Sequence, residues 1–237
     1  MKYCNICEGK FIERPNRFVA YAEINGKTEK VHVKNTGRCR ELLMPGVKIY
    51  LEDFSCCMGN RKLKYSLIAV EKDTPAGKLL INMDSQSPNK VVKEALLSGK
   101  LIPCGLKDAD YVKAEHSFGN SRIDFYVRDS EGREALIEVK GVTLENRGTA
   151  RFPDAPTERG IKHINELIKA ADEGFHAGII FVIQMKGSVL FTPNYATHPE
   201  FGDALKTASK SGVHILAYDC ITDKDTIELD QPVNIRL

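Results

Sequence analysis

Over residues 11–82 apolar and polar positions alternate in short runs, the period-two pattern of half-buried strands. Residues 17–24 alternate in part, Asn25-Gly26 is a hairpin turn, and residues 30–33 supply the partner strand. Residues 47–51 alternate after a turn at Pro45-Gly46, and 65–70 and 79–81 read as two more strands. So many short strands in so few residues predict a small barrel. An OB-like barrel is the first candidate, because such barrels commonly bind nucleic-acid strands. An SH3-like barrel would be patterned in a similar way.

The period changes near Ser87-Pro88. Ser87 suits an N-cap and Pro88 the first helical position. Val91, Val92, Ala95 and Leu96 then form an apolar stripe that Gly99 ends. The domain boundary is placed at residue 85, giving an N-terminal domain over 1–85 and a second over 86–237. The second half reads helix, three strands, helix, strand, helix, strand. Its helices are expected near 88–98, 157–173 and 200–211, and its strands near 110–116, 122–128, 134–140, 177–184 and 213–218. The apolar run 178–183 suits a strand covered on both faces. On helix 157–173, Ile161, Ile164, Leu167, Ile168 and Ala171 recur at helical spacing, and Gly174 stops it. The expected fold class is α/β in this half, an α/β sandwich with a mixed sheet, and α+β overall.

The chain has 237 residues, 42% of them hydrophobic and 28% charged, enough for a sizeable core. No apolar stretch reaches the roughly 18 residues of a membrane helix, and residues 1–7 carry no apolar signal-peptide segment. The expectation is a soluble cytoplasmic protein with no membrane partner. In that compartment Cys4, Cys7, Cys39, Cys56, Cys57, Cys104 and Cys220 are expected to be free thiols. Cys4-x-x-Cys7 has half of a zinc-site spacing, but no second such pair follows. Net charge is +2, unevenly spread: residues 1–82 hold 15 Lys/Arg against 9 Asp/Glu, and residues 83–237 hold 19 against 23. A basic front attracts polyanions, and a carboxylate-rich rear can hold metal ions.

Chemistry concentrates in two strands, 122–128 and 134–140, joined by the turn Asp129-Ser130-Glu131-Gly132. A three-residue loop, Ser130 to Gly132, sets Asp124 directly across from Glu138, whereas a two-residue loop offsets them by one. Glu138 and Lys140 are two apart on a strand and share a face. Two carboxylates and an ammonium on one patch suit phosphodiester hydrolysis. The carboxylates hold Mg2+ (or Mn2+), the metal polarises the phosphate, and the lysine positions or helps deprotonate the attacking water. Glu115, on the preceding strand, is the candidate third metal ligand. The ordinary reading is an amphipathic hairpin with solvated charges. The apolar flanks Leu136, Ile137 and Val139 count against it, because they bury the strand that carries Glu138.

Asp124, Glu138-x-Lys140 and the order of elements resemble the PD-(D/E)xK nuclease superfamily, although Ile123 replaces its proline. Across nearly the whole chain, Asn35-Thr36-Gly37-Arg38, Leu42-Leu43-x-Pro45-Gly46, Gly119-x-Ser121-Arg122-Ile123-Asp124-Phe125, Glu138-Val139-Lys140-x-Val142-Thr143-Leu144, Phe152-Pro153-Asp154-Ala155 and Arg159-Gly160-x-Lys162-His163-x-x-Glu166-Leu167 resemble the sugar fermentation stimulation protein A family. The resemblance implies an N-terminal OB-like domain joined to a restriction-endonuclease-like domain. It also implies DNA as partner and a regulatory role in sugar (maltose) metabolism. That family name records a phenotype rather than a reaction.

Arg159, Lys162, His163 and Glu166 lie on one face of the second helix, a candidate grip for phosphate; the ordinary reading is a solvated face with a Lys162–Glu166 pair. Asp154, in the loop entering that helix, and Gln184, ending the buried strand, are candidate supporting residues. Lys34, Arg38 and Arg40, then Arg61, Lys62 and Lys64, form basic clusters in the front half, and Arg122 adds another cation beside Asp124. Such contacts give affinity for phosphate without sequence choice. Phe18, Tyr21 and Phe54 are either base-stacking or core residues. Three functions follow: a metal-dependent deoxyribonuclease, a non-catalytic DNA-binding regulator, or a small-molecule enzyme using the same carboxylates. The third is weakened because there is no phosphate-cradling glycine loop, nucleophile elbow or dinucleotide fingerprint. Two-fold symmetric nucleases are common, which makes a homodimer one candidate assembly that nothing in the sequence itself selects.

Overall fold

Asn25 and Gly26 both take left-handed backbone (φ 50° and 74°), the conformation a tight hairpin turn requires. They join β2 (Val19–Ile24) to β3 (Lys27–Val33), with Ile24 paired to Lys27. The computed structural model describes residues 1–35, 37–75, 77–103 and 105–237. Thr36, within the Asn35–Arg38 motif, and Cys104, among the expected free thiols, lie outside the described residues. The other six cysteines are free.

Around that hairpin stand β1 (Ile6–Glu13), β4 (Lys48–Asp53), β5 (Tyr65–Thr74) and β6 (Gly77–Asn82). β1 pairs with β2 and β4, β4 with β5, and a parallel pairing of β5 with β3 closes the ring, while β6 extends β5 outside it. This is a closed five-stranded OB barrel. Its inward positions, Ala20, Ala22, Ile24, Val31, Val33, Ile49, Leu51 and Leu67, are buried. β1 has no counterpart in the alternation of the sequence. Most of its positions are exposed or half-buried, and Gly9 interrupts it. A side chain there would come within 3.0 Å of the Glu23 carbonyl and of Leu51, so the barrel closes on a bare backbone.

After Asn82 the chain enters α1 (Ser87–Leu97), and the boundary expected at residue 85 falls in this connector. Ser87 is not the N-cap; Gln86 holds that place, and the single proton of the Ser87 hydroxyl instead lies between two acceptors, Asn82 Oδ1 at 2.9 Å and the Asp84 carbonyl at 2.8 Å. Then follow β7 (Tyr111–Phe118), β8 (Ser121–Arg128), β9 (Glu134–Val142), β10 (Leu144–Asn146), β11 (Thr149–Phe152), α2 (Glu158–Asp172), β12 (His176–Ile183), β13 (Leu190–Pro193), α3 (Pro199–Lys210), β14 (His214–Thr222), β15 (Ile227–Pro232) and β16 (Asn234–Ile235). The main sheet runs β15-β14-β12-β9-β8-β7. β9, β12 and β14 are parallel and the outer strands antiparallel, a mixed sheet. β10, β11, β13 and β16 form a smaller sheet.

β12 is buried from Ala177 to Ile183, and each such Ile, Val or Phe contributes roughly 1.5–3 kcal/mol by leaving water. Its side chains separate the layers. Ile179 and Phe181 join Leu136, Ile164 and Leu167 on the α2 face, while Ile180 and Val182 join Ile137, Val139, Val91 and Val92 on the α1 face. Glu138 and Lys140 pair with Ile179 and Phe181 and therefore lie on the α2 face. α2 begins where Thr157 accepts a hydrogen bond from the Gly160 amide at 3.1 Å and stops before Gly174 (φ 94°). No helix is long and apolar enough to cross a membrane among the described residues.

Candidate active site

The β8–β9 hairpin turns on three residues. The Asp129 amide donates to the Arg133 carbonyl at 3.0 Å, and Gly132 closes the loop with φ 83°. Asp129 fastens the turn by accepting from the Glu131 and Arg133 amides and from Arg133 Nε. Although desolvation raises its pKa, these donors and the Lys107 amide outweigh it and hold the carboxyl at about 2. The pairing runs from Arg128–Glu134 to Phe125–Ile137. One more step sets Asp124 across from Glu138. There the strands part, and the Val139 amide donates to Asp124 Oδ2 (2.8 Å) instead of to backbone.

Each carboxylate is held from a different layer. Asp124 Oδ1 accepts from Asn89 Nδ2 on the first turn of α1 at 2.8 Å. Burial, and next the charge of Glu138, push the Asp124 carboxyl above its ordinary value. Glu138 is 2% exposed, and its Oε1 accepts from Lys140 Nζ and meets His163 Nδ1 of α2. Arg159 Nε donates to His163 Nε2 at 3.3 Å. That leaves the imidazole proton on Nδ1, facing Glu138. Burial alone would raise the Glu138 carboxyl, but His163 and Lys140 outweigh it and hold it below the usual range. Glu138 Oε2 is buried with no hydrogen-bond partner.

That orphaned oxygen is the test for a metal. A buried carboxylate oxygen rarely goes without a partner. Together with Asp124 it offers the hard oxygen donors that Mg2+ or Mn2+ takes, with water completing the shell. The residues fit such an ion as a two-carboxylate site. They do not form the three-carboxylate site expected with Glu115. Glu115 has left-handed backbone (φ 56°), and its carboxylate is exposed beside Arg122 NH1 at 3.5 Å. Among the described residues no group of three or more His, Cys, Asp or Glu is placed so that all could hold one metal ion.

The basic candidates divide by what they touch. Lys34 is not a free cation: its Nζ lies 2.7 Å from the buried Asp84 carboxylate. Arg61 is stacked 3.6 Å from the Phe54 ring centroid and donates to Ser66. His163 is buried against Glu138 rather than exposed to phosphate. Lys162 donates to the Asn120 carbonyl at 2.8 Å, so the Lys162–Glu166 pair does not form. Glu166 is itself buried, with Lys169 on Oε1 and no partner on Oε2. Arg38, Arg40, Lys62, Lys64, Arg122 and Arg159 are exposed. Asp154 lies in a cavity beside the barrel, together with Arg38 and Arg40. The buried Gln184 amide nitrogen sits 3.0–3.1 Å from Asn82, Asp84 and Ser87 oxygens, and a Cβ at Gly141, next to Lys140, would come 2.6 Å from its Oε1. Phe18 is 57% exposed, whereas Tyr21 and Phe54 are half-buried. Asn89 was not singled out in the sequence; its only signal is a polar side chain in the first turn of the predicted helix.

Profiles of two domains match the chain: the SfsA N-terminal OB domain over residues 12–81 and the sugar fermentation stimulation protein RE domain over residues 86–226. The chain is 53% identical over 237 residues to the sugar fermentation stimulation protein homolog of Clostridium beijerinckii, covering 100% of both. It is 52% identical to the homolog of Desulfitobacterium hafniense strain DCB-2, covering 100% of this chain and 99% of that one. Among solved structures it superposes on Pyrococcus furiosus SfsA in complex with Ca2+ with a TM-score of 0.87 and 28% identity, covering 100% of this chain and 98% of the other.

Proposed function

The chain belongs to the sugar fermentation stimulation protein family, and on that footing we propose that it hydrolyses phosphodiester bonds of DNA with a divalent metal ion held by Asp124 and Glu138. The observation that carries this reading is Glu138 Oε2, buried and without a partner, across a parted hairpin from Asp124. The P. furiosus relative is described as a Ca2+ complex, and calcium, like magnesium, takes oxygen ligands.

When bound, the ion would polarise the phosphate and stabilise the leaving oxygen. The remaining work falls to side chains of the protein. His163 and Lys140 occupy Oε1 of Glu138 and leave Oε2 available. Asn89 and the Val139 amide fix the orientation of Asp124. Lys140 Nζ, beside Glu138, can orient the attacking water and offset negative charge developing on the phosphate.

The test is incubation of the purified protein with labelled single-stranded, duplex and branched DNA plus Mg2+ or Mn2+. Cutting is expected, and is expected to be lost in Asp124→Ala and Glu138→Ala. Intact DNA in every lane, or variants that cut like the wild type, would overturn the reading. The ungathered Glu115 favours one second reading, a DNA-binding regulator without chemistry. Its signature is tight, salt-dependent DNA binding that needs no divalent ion.

A further inference from the structure

A cavity of about 820 Å³ separates the barrel from the loop that enters α2. One wall is the turn between β1 and β2 and the segment after β3; the other is residues 152–157. The two walls touch, since a Cβ at Gly37 would collide with the Asp154 carboxylate. Four arginines line the space: Arg14, Arg17, Arg38 and Arg40. Arg14 is consumed by structure, because its guanidinium donates to the carbonyls of Asn16, Arg17, Asn35, Gly37 and Arg38. The other three side chains have no acceptor or ion-pair partner among the described residues, and Arg38 and Arg40 are exposed.

Apolar surface lies beside these charges. Ile12 lines the cavity at 37% exposure. Phe18 follows Arg17 in the chain and is 57% exposed, and Met44, between the lining residues Leu43 and Pro45, is 55% exposed. The amide of Phe18 is held by Asn16 Oδ1 at 2.9 Å, so the ring stands on a fixed backbone. Phe18 is next to the lining residue Arg17 in the chain rather than in the lining itself, and the carboxylates Glu13 and Asp154 line the cavity with the four arginines, which still outnumber them. Unpaired guanidiniums and a nearby exposed aromatic are the two components of single-strand recognition: charges that follow the phosphates and a ring on which a base stacks. Duplex bases have both faces covered by their neighbours and cannot use the ring in this way.

We propose that this cavity is a binding site for a single-stranded DNA segment, with Phe18 stacking on a base and Arg17, Arg38 and Arg40 contacting phosphates. The loop on its far wall runs directly into α2, which carries His163 to Glu138, so the site would lead a strand toward the candidate active site. This rests on the reading of DNA as substrate, and deepens it by naming the single strand.

Fluorescence anisotropy with a labelled oligo-dT and with a duplex of equal length, in EDTA, tests the site apart from any cutting. The wild type is expected to prefer the single strand. Phe18→Ala is expected to weaken that binding about tenfold, as the loss of one stacked base does. Arg17→Ala and Arg38→Ala together are expected to weaken it and to flatten its salt dependence, each lost phosphate contact removing about 0.7 from the slope. These side chains are not in the core, so melting temperatures should hold. A preference for duplex, or unchanged binding by the variants, would overturn the proposal. Binding in EDTA is read without cutting, so a single-strand preference lost in the Phe18 and arginine variants supports this inference even where no DNA is cut. Cutting with unchanged binding by Phe18→Ala removes this inference alone.

Discussion

His163 and Glu138 meet inside the protein, the Nδ1 proton of the imidazole on α2 donating to Oε1 of the carboxylate on β9. A helix and the centre of a sheet are thereby joined by a polar contact in a layer otherwise packed with Ile, Leu and Phe. Removing the imidazole by His163→Ala leaves Glu138 with Lys140 as its one donor. Stability should fall by about 1–3 kcal/mol, read from urea midpoints. Because His163 and Lys140 hold the Glu138 carboxyl below its ordinary value of 4.5, this contribution is present above that value and is lost as pH falls through the lowered one. The gap between wild type and variant should therefore close in acid. A gap that stays constant from neutral pH down to the lowest pH at which both proteins still fold would contradict the assignment.

Asp124 carries the opposite sign. Its carboxyl is pushed up by burial and by Glu138, so ionising it costs stability as pH rises through the raised value. Asp124→Asn loses one of the two acceptor oxygens, so the pH trend is the readout: its melting temperature should gain on that of the wild type as pH rises from the ordinary carboxyl value of 3.8 toward neutral. On the proposed metal site, Mn2+ should raise the melting temperature of the wild type more than that of the variant, since an ion that binds only the folded state stabilises it and the variant lacks the proposed carboxylate ligand. Equal thermal shifts by Mn2+ in both proteins would remove Asp124 from the metal site.

The basic residues should separate by pairing. Lys34→Ala strands the buried Asp84 carboxylate and should cost about 3–5 kcal/mol. Arg38→Ala and Arg40→Ala should stay within about 0.5 kcal/mol of wild type. Thermal melts on the three variants check this, and equal costs would mean that Lys34 is not paired in solution.

Gly119 turns the chain between β7 and β8 with φ 52°. A methyl group there would run into the buried Glu166 Oε2. Gly119→Ala should destabilise both by the left-handed backbone, at about 1 kcal/mol, and by the collision. Adding Glu166→Ala should recover the second part alone, giving less than additive loss in a double-mutant cycle. Strict additivity would separate the two residues.

Local chemistry made much of this legible. Asn25-Gly26 announces the first hairpin, and Ser130–Gly132 sets the register that brings Asp124 across from Glu138. The apolar run of β12 marks the centre of the sheet. What sequence reasoning missed depends on partners far along the chain. β11 and β13 pair about forty residues apart, and each is four residues long. Lys34 finds Asp84 across fifty positions. His163 and Glu166 read as solvent-facing on a helical wheel, but His163 packs onto Glu138 of β9 and the β7–β8 turn lies against Glu166, with Gly119 at Glu166 and Asn120 at Lys162. Glu115 has the right spacing for a third ligand; its left-handed backbone is invisible in the sequence.

The connector from Asn82 to Ser87 exposes Ser85 and Gln86 but is tied down at both ends: by Gln184 at its oxygens, by Tyr3 at Asn82 and by Lys34 at Asp84. A segment fixed in this way is a splice rather than a hinge. Barrel and sheet should melt in one transition, and proteases should find no cut that frees either half. With the distance from arginine cavity to Glu138 fixed, the two proposals together make the protein a ruler: a strand gripped and cut as proposed would be severed at a constant number of nucleotides from the grip.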